Sequence, residues 1–294
     1  MTNQIYRFDY IIMKRNVIAL VSVFFPSEEN VNNIKKISNQ VSFTYICDNS
    51  PSKNECLSSL ERCEYIFNDA NLGLSRGFNK ILKQKEFQEN DYLVFFDQDS
   101  SIDNGFIQKL IDEYEKIELQ GIKIGGIGPN FYNSFSSKDE TLIDSKINAN
   151  VKVDSIMTSS FLCKFSTLKE IAFWNENVFL DLSDWDLCWR LKAAGYSCYI
   201  ASQILLQHTL GKGEKKFFFF KVKEGRPFRV YYQTRDCLRL ITEKYVPLKY
   251  KVRFLLMLTV RPIVHFVFLG NRKERIKYFI KGIHDYHKGI YGSL

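Results

Sequence analysis

The 294-residue chain has no C-x-x-C pair, no apolar run long enough to cross a bilayer, and no lysine-ended phosphate loop. Each absence removes a class of protein. The seven cysteines (Cys47, Cys56, Cys63, Cys163, Cys188, Cys198, Cys237) are odd in number, scattered and without metal-ligand spacing. They fit reduced thiols in the cytoplasm better than a disulfide framework. The longest apolar stretch, FLLMLTVRPIVHFVFLG from Phe254, is broken by Arg261, Pro262 and His265. It falls short of the ~20 apolar residues of a spanning helix. The N-terminal segment MTNQIYRFDYIIMKRN mixes charge into a short apolar patch and offers no signal-peptide core. The loop NLGLSRGFN at 71–79 has glycines at 73 and 77 but lacks the G-K-[ST] ending of a Walker loop. Its spacing also differs from the dinucleotide G-x-G-x-x-G.

What is present is enough hydrophobic material, 45% of residues, for one large domain with an extension. Charge is divided unevenly. Residues 212–294 hold 20 Lys+Arg against 6 Asp+Glu, a net of +14, whereas residues 1–211 hold 21 against 27, a net of −6. The basic segment is also aromatic, with FFFF at 217–220 and Tyr231, Tyr232, Tyr245, Tyr250, Phe254, Phe266, Phe268, Tyr278 and Phe279. Basic residues interleaved with large apolar ones fit an anionic membrane surface. They also fit nucleic acid or a helical subdomain with a solvated face.

The stretch YLVFFDQDS at 92–100 carries the most chemistry. Tyr92–Phe96 reads as a buried strand running straight into Asp97 and Asp99. Carboxylates are costly to bury unpaired, so two at a strand mouth suggest a cation. On extended chain the i, i+2 pair points one way, and ligands of open α/β sheets bind outside the carboxyl ends of the strands. A solvated strand-to-loop turn is the simpler rival.

Upstream, strands and helices alternate: a strand at 17–25 ending at Pro26, a helix at 27–40, a strand at 41–50 with Asp48 near its end, a helix around 53–63, and a strand at 63–68. The spacing predicts a parallel, doubly wound α/β sheet. Residues 23–26 and 48–50 then lie beside Asp97 on one sheet edge. Asp48 is placed there either to bond a base or ribose or to accept in an Asx-turn. Gly73 and Gly77 permit close backbone approach, and Arg76 between them is able to neutralise a diphosphate.

A second acidic cluster follows in FLDLSDWDLCWRLKAAGY at 179–196. A helix starting at Asp184 and closed by Gly195 puts Trp185 and Trp189 on one face. Asp186 precedes Arg190 by four residues, which favours a local ion pair. Asp184, at the helix mouth, fits the start by capping or as a catalytic group, and is the better general base. In QHTLGKG at 207–213, His208 stands at a strand end before Gly-x-Gly and is a candidate metal ligand.

The ordered series VSVFFP, CDNS, NLGLSRGFN, FFDQDS, NENVFLDLSDWDLCWR, GY and HTLG resembles the family 2 glycosyltransferases of the GT-A fold, above all their bacterial rhamnosyltransferase branch. The likeness runs over essentially the whole chain, including the ending IKYFIKGIHDYHKGIYGS. Two departures are FFP in place of the usual T-[YF]-N-P and a tryptophan in Ser183-Asp184-Trp185.

By position, the resemblance implies that Asp97 and Asp99 are the D-x-D pair, with Asp99 the direct metal ligand. It makes Asp48 the pyrimidine-contacting acid, Asp184 the base and His208 the second-shell or direct metal histidine. Pro26, Asn71, Gly73, Arg76 and Gln98 fall on the donor side, Asp181 and Trp185 on the acceptor side. It further implies a GT-A-type, mostly parallel mixed sheet over residues 1–211, with residues 212–294 as a mainly helical extension. The expected reaction is an inverting, Mg2+- or Mn2+-dependent sugar transfer. The donor is dTDP-rhamnose or another dTDP- or UDP-sugar (UDP-galactofuranose, UDP-glucose, UDP-N-acetylglucosamine). The acceptor is a lipid-linked glycan or polysaccharide of O-antigen or capsule synthesis. The expected setting is the cytoplasmic face of a bacterial plasma membrane, with anionic lipid or a second copy on the extension and no nucleic-acid partner. A nucleotidyltransferase would carry a Gly-rich, Lys-ended signature near the first strand, and VSVFFPSEEN has none. A nucleic-acid-binding protein leaves the acidic motifs without a purpose.

Overall fold

In the computed structural model, the described residues are 16–133, 143–144, 147–208, 214–217, 220–223 and 225–294. Alternation of strand and helix builds the first half: β1 (Val17–Val23), α1 (Glu28–Ser38), β2 (Phe43–Asp48), α2 (Glu55–Ser58), β3 (Cys63–Phe67), α3 (Gly73–Gln84), β4 (Tyr92–Asp97) and α4 (Phe106–Glu118). There follow β5 (Ile124–Asn133), β6 (Asn150–Val153), β7 (Phe161–Lys164), α5 (Phe165–Glu170), α6 (Ser183–Ala193) and β8 (Ser197–His208). The extension adds the antiparallel hairpin β9 (Glu214–Phe217) and β10 (Phe220–Lys223), then α7 (Arg229–Leu240), α8 (Leu248–Phe268) and α9 (Arg272–His287).

Eight strands form one mixed sheet in the order β3-β2-β1-β4-β7-β5-β8-β6. β3, β2, β1 and β4 run parallel, as do β5 and β8, while β7 and β6 are antiparallel insertions. Period-two burial explains the two cores. Val17, Ala19, Val21 and Val23 pack on the α1 and α4 side with Ile34, Ile37 and Leu110. Ile18 and Leu20 face α3 and α6 with Phe78, Ile81 and Leu187. Strand order reverses direction between β1 and β4, so their carboxyl ends make the crevice in which open α/β sheets bind ligands.

Several expected elements are shorter in the structure, including β2 (expected at 41–50) and α1 (expected at 27–40), and for two of them the backbone shows why. β1 stops at Val23 rather than Phe25, because Phe25 turns to φ 51. The helix expected at 53–63 contracts to Glu55–Ser58: Asn54 makes no side-chain cap bond, and Arg62 takes φ 54 to enter β3. α1 is well started, since Ser27 and Asn30 form a reciprocal capping box.

α7 and α8 are joined to the sheet layer by a third apolar cluster. Trp189 of α6 is fully buried against Phe254 and Tyr250 of α8, with ring centroids 5.9 and 4.6 Å away. Val178, Leu182, Cys237, Leu240 and Val246 complete it.

Candidate active site

The parallel register delivers the first carboxylates to one edge. Val23 pairs with Asp48, and Ser22 pairs with both Cys47 and Asp97. Asp97 follows Leu93 and Phe95 in pleat, so it leans to the α3 and α6 face, where the first turn of α6 carries Asp184. The two are close enough that the charge of Asp97 helps raise Asp184, after burial, which is the larger cause. Asp97 is itself raised by burial and then by Asp99. Each carboxyl stands at about 7, so the site holds back protons until a cation or substrate arrives. Both residues keep a partly open surface toward the cleft, and Asp99 is exposed.

Asp184 is not the helix cap. Leu182 holds that position without a side-chain bond, and Asp184 Oδ1 accepts from the Trp185 N–H at 2.8 Å. The approach to α6 is fastened on two sides. The Phe179 N–H donates to Asp236 of α7 at 2.9 Å, and its carbonyl accepts from Leu74 N of α3 at 3.0 Å. Gly73 permits that contact: it has φ +73, and a Cβ there would lie 2.6 Å from the Phe179 carbonyl oxygen. The close approach allowed by Gly73 and Gly77 is therefore to protein, since a Cβ on Gly77 would sit 2.7 Å from Cys47 Sγ.

The remaining expected residues have definite positions. Asp48 is fully buried, accepting from Ser50 N at 2.8 Å and Tyr65 Oη at 2.6 Å. The Asx-turn is thus realised at the β2 end. Asn71 accepts from Gly73 N. Arg76 Nε donates to the Glu176 carbonyl at 3.2 Å. Pro26 is half-buried beside the exposed Phe24 and Phe25. Gln98 pairs with both backbone polar groups of Phe24, accepting from N at 2.7 Å and donating to O at 3.2 Å. Asp186 is buried and bonded by Arg190, Asn175 and Tyr245, the local ion pair that its spacing favours. Trp185 is half-buried between Trp189, Tyr250 and the guanidinium of Arg253, which lies 4.8 Å from its ring.

His208 ends β8 opposite Asn133. β8 runs parallel to β4, so its backbone reaches the same edge, three strands or about 14 Å from β4; its side chain lies outside the described residues. Among the described residues no group of three or more His, Cys, Asp or Glu is placed to cage a metal. Two carboxylates still fit a divalent ion, because Mg2+ is commonly held by one or two carboxylates plus substrate phosphates. The crowding of Asp97 by Asp99 is what such a cation relieves.

Sequence reasoning missed the partners supplied by α7. Arg229 Nη2 donates to Asp181 Oδ1 at 2.5 Å, and Gln233 Nε2 donates to Oδ2 at 2.6 Å. Arg229 and Gln233 are four apart on one helix face, a signal that the overall charge of the segment obscures. It also missed Ser159, whose hydroxyl meets that of Ser100 behind the D-x-D turn.

The glycosyl transferase family 2 model matches residues 44–165, from β2 through the start of α5. Over 291 residues the chain is 22% identical to the dTDP-rhamnosyl transferase RfbF of Shigella flexneri, covering 96% of this chain and 98% of that protein. Its fold is similar to the mannosyltransferase PcManGT from Pyrobaculum calidifontis in complex with GDP-Man and Mn2+, with TM-score 0.59 and 12% identity over 96% of this chain and 77% of that one. It is also similar to S. aureus TarS 1-349 in complex with UDP-GlcNAc, with TM-score 0.56 and 14% identity over 94% and 81%. Residues 44–165 are thus a glycosyl transferase family 2 domain on a GT-A-type sheet, and over nearly its whole length the chain is similar to a rhamnosyltransferase.

Proposed function

We propose that this chain transfers L-rhamnose from dTDP-rhamnose, with inversion, onto a lipid-linked or polysaccharide acceptor of a bacterial cell-surface glycan such as O-antigen or capsule. The observation that carries the reaction type is the approach of Asp184 on α6 to Asp97 at the end of β4, beside the β1–β4 crevice. The relative that spans nearly the whole chain supports rhamnose as the sugar. UDP-galactofuranose, UDP-glucose and UDP-N-acetylglucosamine are the alternative donors.

In this reading Asp48, Pro26, Asn71, Gly73, Arg76 and Gln98 frame the nucleotide side of the crevice. Asp99, with Asp97 and His208, holds Mg2+ or Mn2+. When bound, the ion supplies Lewis-acid stabilisation of the charge developing on the leaving diphosphate. Asp184 takes the proton of the acceptor hydroxyl as that oxygen attacks the anomeric carbon. Its carboxyl at about 7 suits that task near neutral pH, where a base must be both unprotonated and basic. Asp181 and Trp185 lie on the acceptor side, and Arg229 and Gln233 set the Asp181 carboxylate by two bonds. Residues 1–211 are the catalytic unit, and residues 212–294 bring it to the inner face of the plasma membrane.

A donor-hydrolysis panel with dTDP-rhamnose and the three UDP-sugars tests the reading. Release of dTDP well above release of UDP is expected. Turnover of a UDP-sugar alone replaces rhamnose and leaves the reaction type intact; turnover of none rejects both.

A further inference from the structure

Helix α8 is apolar on both of its sides. Its inner side is occupied: Phe254 is fully buried against Trp189, and Arg261 donates to Gln233 Oε1 at 2.5 Å. Its outer side presents Val252, Leu255, Leu256, Val260, Ile263 and Phe266, each about half or more exposed, with Ile263 at 64%. Placed at 100° per residue, these six share one face, and Thr259 is the polar residue among them. A contiguous apolar face of this kind, unpartnered in the described residues, marks an interaction surface. α9, which packs on α8, also exposes Ile276 and Ile280, flanked by Lys273, Lys277 and Lys281.

We infer that the outer face of α8, rimmed by the lysines of α9, is the surface on which this protein lies on anionic lipid. Charge selects the occupant. Across residues 248–287 there are nine Lys+Arg against two Asp+Glu. A second copy docked face to face would bring together two segments that each carry a net of +7, and like charges repel. An anionic headgroup layer accepts the lysine ends while their methylene stems lie along apolar surface. The helix is 21 residues, or about 31 Å, long. No helix of the described residues is long and apolar enough to cross a membrane. With its inner side held by Phe254 and Arg261, α8 lies in the plane of the interface rather than through it.

The placement has a consequence for the acceptor. Arg261 is bonded to Gln233, and Gln233 to Asp181. Asp181 therefore lies on the inner side of α8, about 10 Å (one helix width) or more from the lipid face, within reach of the head of a lipid-linked glycan. The docking surface deepens the membrane association proposed above, and this consequence rests in addition on the acceptor proposed there.

Sedimentation of the full chain with phosphatidylglycerol vesicles, without donor or acceptor, tests the surface. Strong binding that weakens with salt is expected, with little on phosphatidylcholine vesicles. The pair Leu256→Ser and Ile263→Ser, and separately Lys273→Glu and Lys277→Glu, should each weaken binding about tenfold or more. Donor hydrolysis by both variants should stay at the parent rate, which establishes that they fold. Equal partition onto both vesicle types, none onto either, or full binding by the folded variants overturns the proposal. A dimer in sedimentation velocity that Ile263→Asp dissolves assigns the face to a second copy and overturns it too. A wrong donor sugar leaves vesicle binding untouched, so the two readings fail separately.

Discussion

Asp184 on α6 lies within electrostatic reach of Asp97 at the end of β4, and burial together with that charge holds its carboxyl at about 7. A base works only when unprotonated, so transfer at saturating donor should rise with pH and level off above about 7. Asp184→Asn should lower transfer by about 10²–10⁴-fold while leaving nucleoside diphosphate affinity unchanged in calorimetry. Lost affinity with transfer retained at high donor would make Asp184 a binding residue and move the base to Asp181.

Metal use should run through the D-x-D pair. Asp99→Asn is expected to cut turnover by orders of magnitude without lowering the melting temperature, because Asp99 is exposed at the sheet mouth and its charge crowds Asp97. Chelation with EDTA should do the same to the parent, reversibly on adding Mn2+ or Mg2+. An unchanged rate in EDTA together with an active Asp99→Asn protein rejects the assignment.

Asp97 links the site to stability. Its carboxyl is raised from 3.8 to about 7. Between those values the folded chain retains a proton that the unfolded chain has released. Stability therefore falls as pH rises through the window, and the deficit is complete above about 7. Metal-free Asp97→Asn should melt above the parent near pH 8 and approach it toward pH 4. A parent that melts higher than Asp97→Asn at the alkaline end contradicts this sign.

Asp186 plays the opposite, structural part. Its carboxylate is buried and takes bonds from Arg190 Nε at 2.8 Å, Tyr245 Oη at 2.6 Å and Asn175 Nδ2 at 3.1 Å. Removing one partner of a buried pair strands the other, so Asp186→Ala should cost about 3–5 kcal/mol. Tyr245→Phe should cost about 1 kcal/mol. Urea midpoints measure both, and a cost for Asp186→Ala within that of Tyr245→Phe would place the pair outside the support of α6.

Much of the crevice was legible because it is made of short-range pattern. Apolar strands that run into Asp48 and Asp97 give the register of β1, β2 and β4, and the Asp186–Arg190 spacing gives its ion pair. What the pattern does not carry is which side of an element another element covers. α8 carries apolar residues on both of its sides, so Phe254 and Phe268 look alike in sequence. Phe254, expected in the membrane-inserting region, is fully buried in the protein, whereas Phe268 is 45% exposed. Tyr231 and Tyr232 of the same aromatic segment are also buried, around Arg235 and Phe179. The partners of Asp181 come from residues about fifty positions away, a distance at which no local periodicity speaks.

Gln98 illustrates the same gap and gives the sharpest test. Its place in the D-x-D motif suggests a donor contact, yet its amide is spent on both backbone groups of Phe24. Ser50 Oγ accepts the next N–H, that of Phe25, at 2.8 Å. Together they hold Phe25 at φ 51, a conformation that costs a bulky residue about 1–3 kcal/mol. Gln98 then acts on the donor by positioning residues 24–26 at the crevice rim. Gln98→Ala should raise the donor KM about tenfold with a smaller change in kcat, since the loop relaxes away from its strained turn. Adding Phe25→Gly should recover most of the loss, because glycine takes positive φ without strain and the loop no longer needs the latch. If Gln98 instead touched the donor, glycine at 25 would restore nothing, and the double variant would bind donor as poorly as Gln98→Ala alone.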